Sequence, residues 1–305
     1  STKSPIADAD SLSFNSLVYW KIAIYVIAVA VVYYAGRALR VNPALSAVFA
    51  CFAMFVSRSF LDIRPAGFSN MLVPVFLLIL IFATYRNILY IWLIVPLTVF
   101  WCNVHGGYIY VFIMLVPFTF FHLITSPSKK VFITIGVKGV CHSVAAGLTA
   151  FVAMILFNPF HFTNLTHTLE ISISKHAEKW RTVNEWHPAF EWDNPVGDET
   201  AFLIMYIIAW IAVVMWAVSS VLLSRAIGRN SKRRSAGTGE YQCPKADIAL
   251  FSVAAMTVYM AICSRRFIPI GAAAACPLIA MLIDQTVRTI SAILSLHKTG
   301  RLAVF

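Results

Sequence analysis

Nine apolar runs, at 17–36, 43–57, 69–85, 87–101, 107–124, 139–157, 200–223, 246–263 and 267–283, leave this chain few choices of fold. A helix crosses the hydrocarbon of a bilayer with about 20 apolar residues, and with fewer where polar ends reach the interface. In lipid a backbone N–H or C=O finds no water, so each run must satisfy its own hydrogen bonds as helix. The expected fold is all-α, a polytopic integral membrane bundle of about nine transmembrane helices. The composition agrees: 60% of the residues are hydrophobic and 12% charged, against roughly 25% charged in a soluble domain. The lipid bilayer is the first partner the chain implies.

The chain has 24 Lys and Arg against 13 Asp and Glu, a formal net charge of +11. In a soluble protein that excess would raise nucleic acid as a partner. In a membrane protein it belongs in cytoplasmic loops, and no nucleic acid is expected. Arg225, Arg229, Lys232, Arg233, Arg234 and Lys245 make the 224–245 loop cytoplasmic. Counting runs outward from it puts Arg37, Arg40, Arg86, Lys129, Lys130, Lys138, Arg288, Lys298 and Arg301 on the same side. The organisation expected is an extracytoplasmic segment 1–16, a transmembrane domain 17–283 with one longer extracytoplasmic loop at 158–199, and a cytoplasmic or interfacial tail 284–305. A multispan chain that begins outside often has an earlier span, so one is expected upstream of Ser1.

Four polar breaks fall on the outer side of this topology. They are 57–65, with Arg58, Asp62, Arg64 and Pro65; Trp101-Cys102-Asn103-Val104-His105-Gly106-Gly107; the 158–199 loop; and 264–269, with Arg265, Arg266 and Pro269. Arg58, Arg64, Arg265 and Arg266 stand where the charge rule disfavours cations. One reading is an anion site, because guanidinium binds phosphate or carboxylate bidentately and keeps its charge when partly desolvated. The other is snorkelling to lipid head groups with pairing to Asp62, Glu185 or Glu191.

His105, followed by Gly106 and Gly107, sits where backbone can approach a ligand closely and offer N–H groups to a substrate oxygen. The alternative is a helix-connecting turn in which Asn103 caps and His105 is interfacial. The 158–199 loop carries His161, His167, His176, Glu178, Glu185, His187, Glu191 and Asp193 beside Trp180, Trp186 and Trp192. The tryptophans suit either an interface anchor or stacking on a sugar face. None of the histidines and carboxylates shows a tight metal-ligand spacing, so no metal site and no cofactor is assigned, although the acidic groups leave room for a divalent cation. The six cysteines form no CxxC and read as small apolar residues.

The order of Arg64-Pro65, Trp101 to Gly107, Asn158-Pro159-Phe160, Glu185-Trp186 and Arg266-Phe267-Ile268-Pro269 resembles bacterial multispan proteins related to glycosyltransferases of the C-type membrane fold. The resemblance implies a transferase in the bacterial inner membrane, moving a sugar from a polyprenyl-phosphate carrier to a lipid, glycan or protein acceptor on the outer face. Arg64, Arg265 and Arg266, with Arg58 nearby, would hold the carrier phosphate. Glu185 or Asp62 would be the base, His105, Asn103 and Gly106 would orient a substrate oxygen, and Trp186 would stack on the sugar. Members of that fold usually carry a key acidic residue in the first outer loop, and this chain starts beyond that point; Asp8 and Asp10 are a weak remnant. Two rivals stand beside the transferase. One is a non-catalytic subunit of a larger membrane assembly. The other is a transporter or channel in which Pro65, Pro159 and Pro269 would mark broken helices.

Overall fold

The computed structural model describes residues 5–129, 131–163, 165–166, 183–191, 199–230 and 244–299. His167, His176, Glu178, Trp180, Trp192 and Asp193 fall outside these, as do Lys130 and Lys232 to Arg234 of the basic loops. The main helices are α1 (Pro5–Ala38), α2 (Pro43–Ser57), α3 (Ala66–Tyr85), α4 (Ile94–Val104), α5 (Ile109–Thr125), α6 (Gly136–Phe157), α7 (Thr200–Asn230), α8 (Ile248–Cys263) and α9 (Ile268–Thr299). Among the described residues there is no strand, and the sole β-type pairing is an isolated parallel bridge between Phe132 and Ala246. Seven helical segments are long and apolar enough to cross a membrane, and two more, Ile88–Val104 and Ile248–Cys263, are apolar but shorter. The chain is an all-α helical membrane protein.

The helix ends follow from local chemistry. Asn42 caps α2 by accepting from the Ala44 N–H at 2.9 Å, with Pro43 in the first turn, where its missing N–H costs nothing. Asp247 caps α8 by accepting from the Leu250 N–H at 3.0 Å. Pro65 and Pro269 likewise stand at the starts of α3 and α9, and Pro159 lies just past the end of α6. None of the three interrupts a helix. The prolines inside helices are Pro74, Pro117 and Pro277. The 87–101 run begins as a tight 3-10 segment, Ile88–Leu93, capped by Asn87, and becomes α-helix only at Ile94. The helices also outrun the apolar stretches: α1 begins at Pro5, within the polar 1–16 segment, and α9 continues past residue 283 to Thr299.

Helix α9 is the central post. Ile268 to Leu282 is almost wholly buried and includes the run Ala272-Ala273-Ala274-Ala275-Cys276. Lipid tails are as apolar as leucine, so burial alone does not drive helices together in a bilayer; small side chains that allow close van der Waals contact do. Around this post pack α1, α2, α3, α7 and α8, with α8 bridging to α5, and α4 and α6 completing the far side. The two ends of the bundle differ. One gathers the turns around 58–65, 105–108, 184–191 and 264–267. The other carries Arg40, Arg288, Lys129 and Lys245, where Arg288 donates to the Arg40 carbonyl and Lys245 to that of Lys129.

Candidate functional site

At the first end a cavity of about 290 Å³ opens between the start of α3, the α4–α5 break, the 183–191 loop and the α8–α9 corner. Asp62, Arg64, His105, Glu185 and Arg266 all line it, together with Ser69, Asn70 and Tyr110. Five side chains drawn from four separated segments thus meet in one place. The start of α3 also lies at its wall, through Pro65, Ala66 and Gly67, and brings the positive end of a helix dipole.

The α4–α5 break builds a hydrogen-bonded relay. Trp101, fully buried on α4, donates its indole N–H to Ser69 Oγ at 2.8 Å. Ser69 Oγ lies 2.6 Å from His105 Nδ1, and the Gly107 N–H donates to the same nitrogen at 3.0 Å. An indole and an amide can only donate, so Nδ1 must be a lone-pair acceptor and the Ser69 proton must point to it. The neutral ring therefore carries its proton on Nε2, which has no hydrogen-bond partner among the described residues. Burial, and after it the charge of Arg266, holds the His105 pKa below the ordinary imidazole value. His105 thus presents a neutral N–H donor. Gly107 is required here because a Cβ would overlap Ser69 Oγ.

The α8–α9 corner splits two adjacent arginines. Arg265 is 1% exposed and turned away from the cavity. Its Nε donates to the Pro188 carbonyl at 3.0 Å and its Nη1 to Asn184 Oδ1 at 2.6 Å, while Nη2 lies 3.5 Å from Glu191 Oε2. The backbone reinforces this: the Arg265 N–H donates to the His187 carbonyl, the Ala189 N–H to that of Ile262, and Ser264 Oγ to that of Glu185. His187 Nδ1 pairs with Glu191 Oε2 at 2.7 Å. Arg265 is thus a strut that fixes the loop bearing Glu185 and Trp186.

Arg266 instead faces the cavity. Its guanidinium stacks 4.0 Å over the Trp186 ring, a cation–π contact that orients the charge without neutralising it. No carboxylate pairs with Arg266 among the described residues. Arg64, in contrast, is committed: its Nη1 lies 3.0 Å from Glu185 Oε2 and its Nε 3.5 Å from Asp62 Oδ2.

Five expected site residues lie elsewhere. Arg58 folds back over the Phe55 ring at 4.5 Å and donates to the Phe55 carbonyl. Asn103 donates to the Val99 carbonyl at 2.7 Å and the Phe157 carbonyl at 3.2 Å, while Asn158 donates to the Cys102 carbonyl at 2.9 Å, so this pair ties the end of α6 to the end of α4. Gly106 is exposed and does not line the cavity. Arg265 is the strut, and Trp186 has a face taken by Arg266. Ser69, Asn70 and Tyr110 were not anticipated. The adjacent polar pair Ser69-Asn70 at the head of an apolar run was the one available signal for the first two. No cluster of three or more His, Cys, Asp or Glu that could hold a metal occurs among the described residues.

No family model matches the chain, and neither the curated proteins nor the solved structures give a significant match. The functional reading rests on the site.

Proposed function

We propose that the protein is a membrane transferase that moves a sugar from a polyprenyl-phosphate carrier to an acceptor hydroxyl, with the cavity end of the bundle on the extracytoplasmic face of a bacterial inner membrane. In this reading the two short apolar helices also span, giving nine crossings with the basic turns inside, as the distribution of Lys and Arg favours. The resemblance to C-type membrane glycosyltransferases supports the same activity.

The observation that carries the proposal is the company the cavity lining keeps. Arg266, with no carboxylate partner among the described residues, and the Nε2–H of His105 suit an oxyanion, and the carboxylates of Asp62 and Glu185 line the same cavity. In the reaction the acceptor oxygen bonds to the anomeric carbon as the bond from that carbon to the carrier phosphate breaks. The acceptor proton passes to Glu185 or Asp62, and the charge left on the phosphate oxygen is met by Arg266 and His105. Arg64 keeps the carboxylates in place.

The test is sugar transfer from a polyprenyl-phosphate-linked donor in membranes containing the full-length protein. Arg266→Ala and Glu185→Gln should each lower the rate by about 10²-fold or more. Unchanged transfer in both variants overturns the assignment. The non-catalytic subunit reading draws on a different observation, the mutual pairing of Arg64 with Asp62 and Glu185, which would suit a purely structural cluster. It predicts no transfer by the native protein and co-purification with a partner that both variants retain.

A further inference from the structure

Tyr110 lines the cavity and has no part in the chemistry proposed above. It stands in the first turn of α5, just after the α4–α5 break. Its ring is wedged between two others: the Trp101 ring meets it edge-on with centroids 6.3 Å apart, and the Phe267 ring stands perpendicular to it at 5.8 Å. Trp101 is fully buried, and Phe267 follows Arg266 in the α8–α9 corner, so both wedges are fixed parts of the bundle. A phenol held in this way needs little further ordering when a ligand arrives.

The hydroxyl is the unusual part. It makes no hydrogen bond among the described residues, yet it is not sealed inside the protein as the unpartnered hydroxyls of Ser46 and Tyr85 are. It reaches open space, and the described opening that Tyr110 borders is the cavity. The other hydroxyl of the cavity lining, that of Ser69, is already committed to Trp101 and His105.

What an uncommitted phenol can meet follows from its chemistry. A phosphate oxygen only accepts, and the cavity already offers it Arg266 and the Nε2–H of His105. A sugar hydroxyl both donates and accepts, as the phenol does, so the two can pair in either sense. A site built around such a group also rejects the analogue that lacks the matching hydroxyl, because the group is then left unpaired. We infer that Tyr110 is a specificity-determining residue, whose hydroxyl pairs with one ring hydroxyl of the transferred sugar and so decides which sugars the cavity takes. This rests on the proposed function for the sugar phosphate itself and adds the side chain that reads the sugar.

The experiment measures binding of water-soluble head groups to the full-length protein in nanodiscs by ligand-observed NMR. The probes are the 1-phosphates of glucose, mannose, galactose and N-acetylglucosamine, beside methyl phosphate. The native protein should bind at least one sugar phosphate more tightly than methyl phosphate. Tyr110→Phe keeps both ring contacts and removes an oxygen with no partner among the described residues, so its melting temperature should match the native one. It should weaken that sugar phosphate about fivefold to tenfold, as expected for one hydrogen bond, and leave methyl phosphate unchanged. Arg266→Ala should weaken both. Monodeoxy analogues of the bound sugar phosphate then locate the contact, since one of them should bind the native protein and Tyr110→Phe equally. An equal loss for methyl phosphate overturns the inference by placing the phenol on the phosphate. So does a fall in melting temperature with no ligand-dependent loss, or a native protein that binds no sugar phosphate better than methyl phosphate. These readings need no catalysis, so sugar discrimination by Tyr110 without any sugar transfer would overturn the proposed transferase and leave the sugar contact standing.

Discussion

The hydroxyl of Ser69 lies 2.6 Å from Nδ1 of His105, and this contact between helix α3 and the α4–α5 break sets which edge of the imidazole meets the cavity. Removing it should disturb more than one hydrogen bond. Ser69→Ala leaves the buried Trp101 N–H without an acceptor, at a cost of about 1–3 kcal/mol. It also takes one donor from Nδ1 and leaves the Gly107 N–H alone on that nitrogen. Thermal unfolding in detergent should report the loss, and the Nδ1 chemical shift of His105 should move as one of its two hydrogen bonds goes. Ser69→Thr keeps the hydroxyl and should restore the native shift.

His105 also makes stability depend on pH in a definite direction. Its folded pKa lies below the unfolded value, so as pH falls through about 6.5 the unfolded chain takes up a proton that the folded chain resists. This contribution to stability is fully present above the unfolded pKa and is lost as pH drops toward the folded one. Between about pH 7 and pH 5.5 the melting temperature of His105→Gln should therefore fall less than that of the native protein. Equal slopes in the two proteins would remove His105 from the account.

The neighbouring arginines should give opposite phenotypes. Arg265→Ala deletes two hydrogen bonds and the Glu191 contact from a nearly inaccessible position, and should cost about 2–4 kcal/mol and expose the 183–191 loop to proteolysis. Arg266→Ala should leave the loop protected and stability within about 1 kcal/mol of native, because its main described contact is a half-exposed cation–π pair. Limited proteolysis beside a melting curve separates the two.

The Arg64 pairs should matter little to folding. Its side chain is 59% exposed and Asp62 56%, so solvent and salt screen both contacts. Arg64→Ala should shift unfolding by less than about 1 kcal/mol. A larger loss would mean that the cluster holds the turn before α3 together.

Gly107→Ala tests how tightly the break is built. The added methyl would overlap Ser69 Oγ, and relief requires moving either α3 or the His105 turn. A loss of about 1–3 kcal/mol is expected, with the His105 nitrogen shifts displaced as the Ser69 contact is strained.

Much of this architecture was legible in the residue order. Runs of apolar side chains long enough to cross lipid located the helices, because in that solvent no other backbone arrangement satisfies its own hydrogen bonds. The polar interruptions likewise marked the turns that meet at the cavity. Tertiary choices were not legible. Arg265 and Arg266 are adjacent and chemically identical, yet one is a strut and the other faces the cavity, a difference set by the direction of each side chain from the 3-10 turn Arg265–Phe267. Ser69 and Tyr110 sit within or beside apolar runs, where nothing in the residue order separates a side chain at the cavity from one elsewhere on its helix. Of the arginines in the polar breaks, Arg64 and Arg265 lie beside carboxylates, whereas Arg266 has no carboxylate partner among the described residues.

The attachment of the 183–191 loop to the α8–α9 corner bears on how any ligand could come and go. With Arg265 bolting the loop to the same turn that bears Arg266, the 183–191 roof of the cavity and the Arg266 cation travel as one body. Lifting that roof would carry the cation away with it and dismantle the charge arrangement below.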